Sequence, residues 1–208
     1  YELACLDAKA GRFAEALEHV NESILRQYQC MKARALKENI LRKLGRVKEA
    51  EELHKESLKI DPLYDRQPEK INHNTLLELV IDLYEAGDYA QGITLAEKWV
   101  KQQNVSRQED IYPLVYYYIA YGYQNLHRKE NTEQANCYMT MYVTLGENAA
   151  ADGCFPHRTE DYIVLKSLAE EYHLAMAYYY LGCLLYDRRV YDESIEDYEE
   201  SILRSPDF

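Results

Sequence analysis

Residues that break or bend a backbone are few in this 208-residue chain: 8 Gly and 5 Pro. Those numbers, with a 47% hydrophobic fraction, exclude a disordered, Pro/Gly-rich polypeptide. Phe and Trp are scarce, at 3 and 1, so aromatic packing falls to tyrosine. Positive charge is also short: 24 Lys and Arg stand against 36 Asp and Glu, for a net charge of −12. That deficit argues against nucleic acid, whose phosphates need a basic footprint. It argues equally against an anionic membrane surface. No apolar run approaches the roughly 20 residues that span a bilayer. No signal or transit segment precedes the first helical pattern, which begins at residue 2. With Tyr1 at one end and Ser205-Pro206-Asp207-Phe208 where another repeat would begin, the chain reads as a piece of a longer protein.

The cysteines, Cys5, Cys30, Cys137, Cys154 and Cys183, are odd in number and widely scattered. They form no disulfide framework and show no metal-ligand spacing. Small, buried apolar residues at helix contacts in a reducing, cytoplasmic setting are expected instead.

What the sequence does have is a repeat. Ala10-Gly11-Arg12-Phe13-Ala14-Glu15-Ala16 returns as Leu44-Gly45-Arg46-Val47-Lys48-Glu49-Ala50. It returns again as Ala86-Gly87-Asp88-Tyr89-Ala90-Gln91-Gly92, and as Asp187-Arg188-Arg189-Val190-Tyr191-Asp192-Glu193-Ser194. Glycine at a helix end takes the left-handed cap that other residues resist. Two residues on, an aromatic or Val is expected to pack back between the helices. A small residue then follows, Ala16, Ala50, Gly92 or Ser194, and lets the second helix approach the first closely. Second helices end near Pro62 and Pro206.

A helix-turn-helix unit recurring at 34 residues, as from Gly11 to Gly45, resembles the tetratricopeptide (TPR) repeat. The resemblance implies an all-α, right-handed α-solenoid of antiparallel helix pairs, about five pairs plus one extra helix. The 3.6-residue periodicity predicts first helices at 2–10, 31–43, 74–86, 110–126 and 175–187. Second helices are predicted at 13–27, 47–59, 89–103, 130–145 and 191–203. The corresponding repeats, 1–28, 29–62, 73–106, 109–145 and 175–208, make one superhelical domain. The extra helix, 159–172, should bury a stripe of Tyr162, Ile163, Leu165, Leu168 and Ala169, with Thr159 as N-cap. Loops at 60–73 and 146–158 should be anchored by Leu63 and Phe155.

Longer strings go beyond the general repeat. Asp61-Pro62-Leu63, Tyr116-Tyr117-Tyr118-Ile119-Ala120-Tyr121, Phe155-Pro156-His157-Arg158-Thr159-Glu160-Asp161 and Tyr179-Tyr180-Leu181-Gly182 occur in that order. Together they resemble the C-terminal TPR region of large, mainly bacterial proteins. Those proteins carry an upstream domain of unknown function similar to the galactose-mutarotase sandwich. The resemblance implies a carbohydrate-related context for the parent protein, and it carries no catalytic residue into this chain.

Chemistry-bearing constellations are missing. The six histidines form no His-x3-His or His-Glu-x-x-His array. Cys154-x-x-His157 is the nearest thing to a metal pair and has no further ligands close by. There is no phosphate-cradling glycine loop and no nucleophile-elbow serine. Adjacent acids such as Glu51-Glu52 diverge by about 100° on a helix and cannot converge as a glycosidase pair would. No catalytic residue, metal or cofactor is therefore expected.

The remaining candidates are binding residues on the groove-facing side of the first helices: Asn39, Arg42, Leu77, Tyr84, Tyr117, Tyr121, Gln124, Tyr179 and Tyr186. Positions 117, 121 and 124 share a helix face, as do 179, 183 and 186. Tyrosine suits such surfaces through wide apolar contact at low entropic cost. Tyr118, Tyr123, Tyr178 and Tyr180 should pack between helices. Asn39 also fits one position of a chaperone-tail clamp, but Leu77 and Glu78 do not continue it, so that reading is rejected. The expected function is a non-catalytic scaffold for a peptide, a protein or the upstream domain of the same polypeptide, with a homodimer as a further arrangement. The alternative is an accessory module of a carbohydrate-active protein, offering aromatic contacts to a glycan.

Overall fold

The computed structural model describes residues 1–61, 72–103, 111–130, 133–149 and 153–206, with residues 127–130 described as backbone only. Leu63, proposed as a loop anchor, and Pro62 lie outside the described residues. Eleven helices and no strand occur among the described residues. The pairs are α1 (Glu2–Lys9) with α2 (Phe13–Arg26), α3 (Met31–Lys43) with α4 (Val47–Ile60), and α5 (His73–Glu85) with α6 (Tyr89–Gln102). They continue as α7 (Pro113–Glu130) with α8 (Glu133–Asn148), the single α9 (Thr159–Tyr172), then α10 (Ala175–Asp187) with α11 (Tyr191–Arg204). Neighbouring helix pairs pack as expected for a TPR-like α-solenoid. The chain forms two compact units, Tyr1–Leu95 and Ala96–Phe208, with the boundary inside α6.

Four corners share one hydrogen-bond pattern. At the first, Gly11 N–H donates to the Ala8 carbonyl and Arg12 N–H to the Asp7 carbonyl. The same two bonds recur at Gly45 and Arg46, at Gly87 and Asp88, and at Arg189 and Val190. This is the Schellman closure, which needs a residue with positive φ at its centre. The central residues are Gly11 (φ 78°), Gly45 (φ 73°), Gly87 (φ 73°) and, without the glycine, Arg189 (φ 63°). The small residues after the corners are buried as expected: Ala16, Ala50, Gly92 and Ser194. The expectation for the residue two places after each corner residue holds less well. Tyr89 is buried and Phe13 half-buried, but Val47 and Tyr191 are exposed.

In the first unit α2 packs against α1 and α3, and α3 against α4. Ala4, Ala8, Ala16, Val20, Ala33, Ile40 and Ala50 form its seam, where alanines permit close helix approach. α5 packs on both α3 and α1. A Lys9–Glu85 ion pair (2.8 Å) and a Lys43–Asp88 pair (2.8 Å) flank these contacts. In the second unit α7 packs on α8, α9 on α7 and α10, and α10 on α11.

Several boundaries differ from expectation for physical reasons. α7 begins at Pro113, not near 110, because Pro suits the first helical position. It runs on to Glu130 because nothing in Gln124–Glu130 stops a helix. α8 passes through Gly146 to Asn148, so the predicted loop starts later. Gly146 serves close packing and not termination: a Cβ there would lie 2.7 Å from the Tyr117 ring. α9 is phased on Asp161, Val164, Leu165, Leu168 and Ala169, while Ile163 is exposed. Its N-cap is Arg158, not Thr159, and the Asp161 carboxylate accepts the backbone N–H groups of His157 and Arg158, each at 2.9 Å. Phe155 is no anchor either, being 77% exposed; its neighbours Cys154 and Pro156 are buried.

Candidate functional site

Tyrosine hydroxyls must find partners when buried, and here many of them find carboxylates. Tyr117 donates to Glu147 at 2.6 Å and Tyr118 to Asp161 at 2.8 Å. Tyr123 and Tyr142 both donate to Glu97, at 2.8 and 3.0 Å. Burial, helped by these neighbouring carboxylates, pushes the Tyr117 and Tyr118 hydroxyls well above the ordinary tyrosine range. These tyrosines stay protonated and act as fixed donors. Glu147 also accepts the Met176 backbone N–H at 3.3 Å, so one carboxylate ties α7 and α8 to the start of α10.

The nine sequence-predicted binding residues therefore divide. Tyr117 is fully buried, against the expectation of an open surface; its ring lies over Gly146 and 6.5 Å from the Tyr180 ring. Gln124 is buried, donating to Glu171 (2.7 Å) and accepting from Ser167 (2.9 Å). Leu77 is core, and Tyr84 is buried over Gly92 and beside Tyr89. All four are covered by neighbouring helices. Tyr121 and Tyr179 are half-buried. Asn39 is half-buried, Arg42 exposed, and Tyr186 is 62% exposed with its ring 5.6 Å from Tyr191. Of the tyrosines expected between helices, Tyr118 and Tyr180 are buried, and Tyr123 and Tyr178 half-buried.

In the first unit Asn39 opens onto a groove of about 180 Å³. Ala35, Leu79, Leu83 and Leu95 supply an apolar lining, and Glu38, Asn39 and His54 supply polar groups. Glu38 accepts from Arg42 at 3.0 Å and lies 3.1 Å from His54 Nδ1. Of these lining residues the sequence reading names Asn39; it takes its candidates from first helices only, and His54 stands on a second helix, α4.

The two buried thiols are not poised as nucleophiles. Burial pushes the Cys5 thiol up to about 12 and the Cys154 thiol up to about 11, so neither is a thiolate at neutral pH. Cys154 points inward while His157 is exposed, so the Cys-x-x-His spacing does not converge. Among the described residues no group of three His, Cys, Asp or Glu side chains could hold a metal ion. No described helix is long and apolar enough to cross a membrane.

The family model of the tetratricopeptide repeat matches residues 174–205, the span of α10 and α11. No curated protein matches the chain. With four Schellman corners and consecutive helix pairs, the match supports a TPR-like repeat protein.

Proposed function

We propose that the chain is a non-catalytic interaction scaffold that binds a peptide, a protein or a neighbouring domain of its own polypeptide. The observation that carries this is the groove at Asn39: an apolar lining beside an amide, a carboxylate and an imidazole, next to exposed Arg42. An extended peptide presents alternating apolar side chains and backbone amides. The lining takes the former, and the Asn39 side chain, both donor and acceptor, pairs with the latter. Exposed Tyr186 on α10 offers a second, separate contact surface in the other unit.

Selection of a displayed peptide library on the purified chain tests this reading. Peptides that bind should lose at least five-fold in affinity to the Asn39→Ala, Arg42→Glu variant at unchanged helicity. Failure to select any binder, or equal binding by the variant, rejects the groove. Exposed Tyr186 also favours one other reading, a glycan contact by an accessory module of a carbohydrate-active parent. A glycan array with Tyr186→Ala as control decides that reading.

A further inference from the structure

Charge is spread along most of the chain but is absent from α8 between its two ends. No Asp, Glu, Lys or Arg occurs in residues 134–146, thirteen positions of a chain that is 29% charged. The equally uncharged run before it, residues 111–126, contains no exposed residue. α8 differs. Its inner side, Ala135, Met139, Tyr142, Val143 and Gly146, is buried, while Cys137, Tyr138, Thr140, Met141 and Thr144 are exposed.

The inner side already has its neighbours. α8 packs on α7, touches α10 and receives the Tyr172 hydroxyl of α9 on Met139 Sδ at 3.0 Å. Stacking of the chain's own helices uses that side and leaves the outer one. The outer side asks little of water. The Thr140 hydroxyl donates to the Asn136 carbonyl (3.0 Å), the Thr144 hydroxyl to the Thr140 carbonyl (2.9 Å), and the Asn148 amide to the Thr144 carbonyl (2.7 Å). Donors satisfied within their own helix cost little to desolvate. Met141, 43% exposed, and Tyr138, 38%, add apolar surface.

Electrostatics select the occupant. An oppositely charged partner is drawn to acids, such as the exposed Asp192, Glu193, Glu196 and Glu199 of α11, and not to a face without charge. A like-charged partner approaches closely only where charge is missing. A second copy of this chain is like-charged by necessity, at −12 against −12. A two-fold axis lays one face on itself. Antiparallel α8 helices then set the positive end of each helix dipole beside the negative end of the other.

We propose that the outer face of α8 is a two-fold interface between two copies of this chain, with α8 crossing its counterpart near Thr140 and Met141. One 16-residue helix, about 24 Å long, makes an interface at the small end for specific association, so the dimer is weak. Salt strengthens it, because the two net charges are screened from each other. The Asn39 groove belongs to the other unit, so failure of this interface leaves the peptide reading untouched.

Sedimentation equilibrium of the full chain between about 10 μM and about 1 mM tests the proposal. The mass should rise with concentration from 24.5 kDa toward twice that value, and more steeply at higher salt. Met141→Glu and Met141→Lys, which change only an exposed side chain at the crossing, should each weaken association at least ten-fold at unchanged helicity. Mixed in equal amounts, the two variants should associate again, because opposite charges then meet. The proposal is overturned by a constant mass of 24.5 kDa, or by association that salt weakens. It is equally overturned by variants that stay apart when mixed, or by a dimer that Met141→Glu leaves intact and Ile195→Asp on α11 breaks.

Discussion

Single residues at the corners carry much of the local specification, and they do so by different means. Gly11 and Gly45 have open space where a Cβ would go, so only their left-handed backbone demands glycine. Gly87 has a further reason: a Cβ would lie 3.1 Å from both the Ala8 carbonyl oxygen and the Lys9 Cα, which are backbone and cannot rotate away. Gly11→Ala should therefore cost about 1 kcal/mol, the left-handed penalty alone. Gly87→Ala should cost at least about 1 kcal/mol more, from overpacking. Paired denaturant titrations measure the difference, and equal losses would remove the second reason. Arg189 is the converse case, a side chain where its three counterparts have none. Arg189→Gly should raise stability by about 0.5 kcal/mol, because relief of the left-handed strain exceeds the extra freedom glycine adds to the unfolded chain. A lowered midpoint would mean that the Arg189 side chain makes compensating contacts.

At the scale of helices, the recurring device is a tyrosine ring laid over a glycine of a neighbouring helix. A Cβ on Gly92 would lie 2.4 Å from the Tyr84 ring, one on Gly146 2.7 Å from Tyr117, and one on Gly182 2.6 Å from Tyr198. Alanine is favoured over glycine inside a helix by about 1 kcal/mol, yet Gly146→Ala should destabilise. Tyr117 is fully buried and held through its hydroxyl by Glu147, so its ring cannot withdraw. An overpacking cost of about 2 kcal/mol then outweighs the propensity gain, for a net loss of about 1 kcal/mol read as a lower unfolding midpoint. α9 and α11 predict a pH effect. Asp197 is half-buried near Glu193, Glu196 and Glu170; burial first, then these acids, raise its carboxyl to about 6, with Lys166 opposing. A raised carboxyl contributes stability while protonated, and that contribution is lost as pH climbs from about 4 through about 6. Asp197→Asn should flatten this part of the stability–pH curve and stabilise the chain at pH 7. An unchanged slope would place the proton elsewhere.

At the scale of the whole molecule, the helices were readable from the sequence and their coverage was not. Four glycine or glycine-like corners and a 3.6-residue period located the eleven helices of the described residues, since both signals are local. The binding residues depended on a non-local fact, namely which helix face another helix covers. Tyr117 and Tyr186 look alike in sequence, yet one hydroxyl meets Glu147, 30 residues away, and the other ring lies in solvent. The abundance of tyrosine over phenylalanine also acquires a structural reason, because buried hydroxyls are spent on Glu97, Glu147 and Asp161. The surfaces proposed for a partner are the Asn39 groove in one unit, and Tyr186 and the outer face of α8 in the other.

Three hairpins, α5–α6, α7–α8 and α10–α11, are held where glycine passes beneath tyrosine. A nuclear Overhauser spectrum of the chain labelled at Gly and Tyr tests that directly. The Hα protons of Gly92, Gly146 and Gly182 should each show strong cross-peaks to the rings of Tyr84, Tyr117 and Tyr198 respectively, and should be shifted upfield by ring current. Glycine protons at random-coil positions without those cross-peaks would contradict the account.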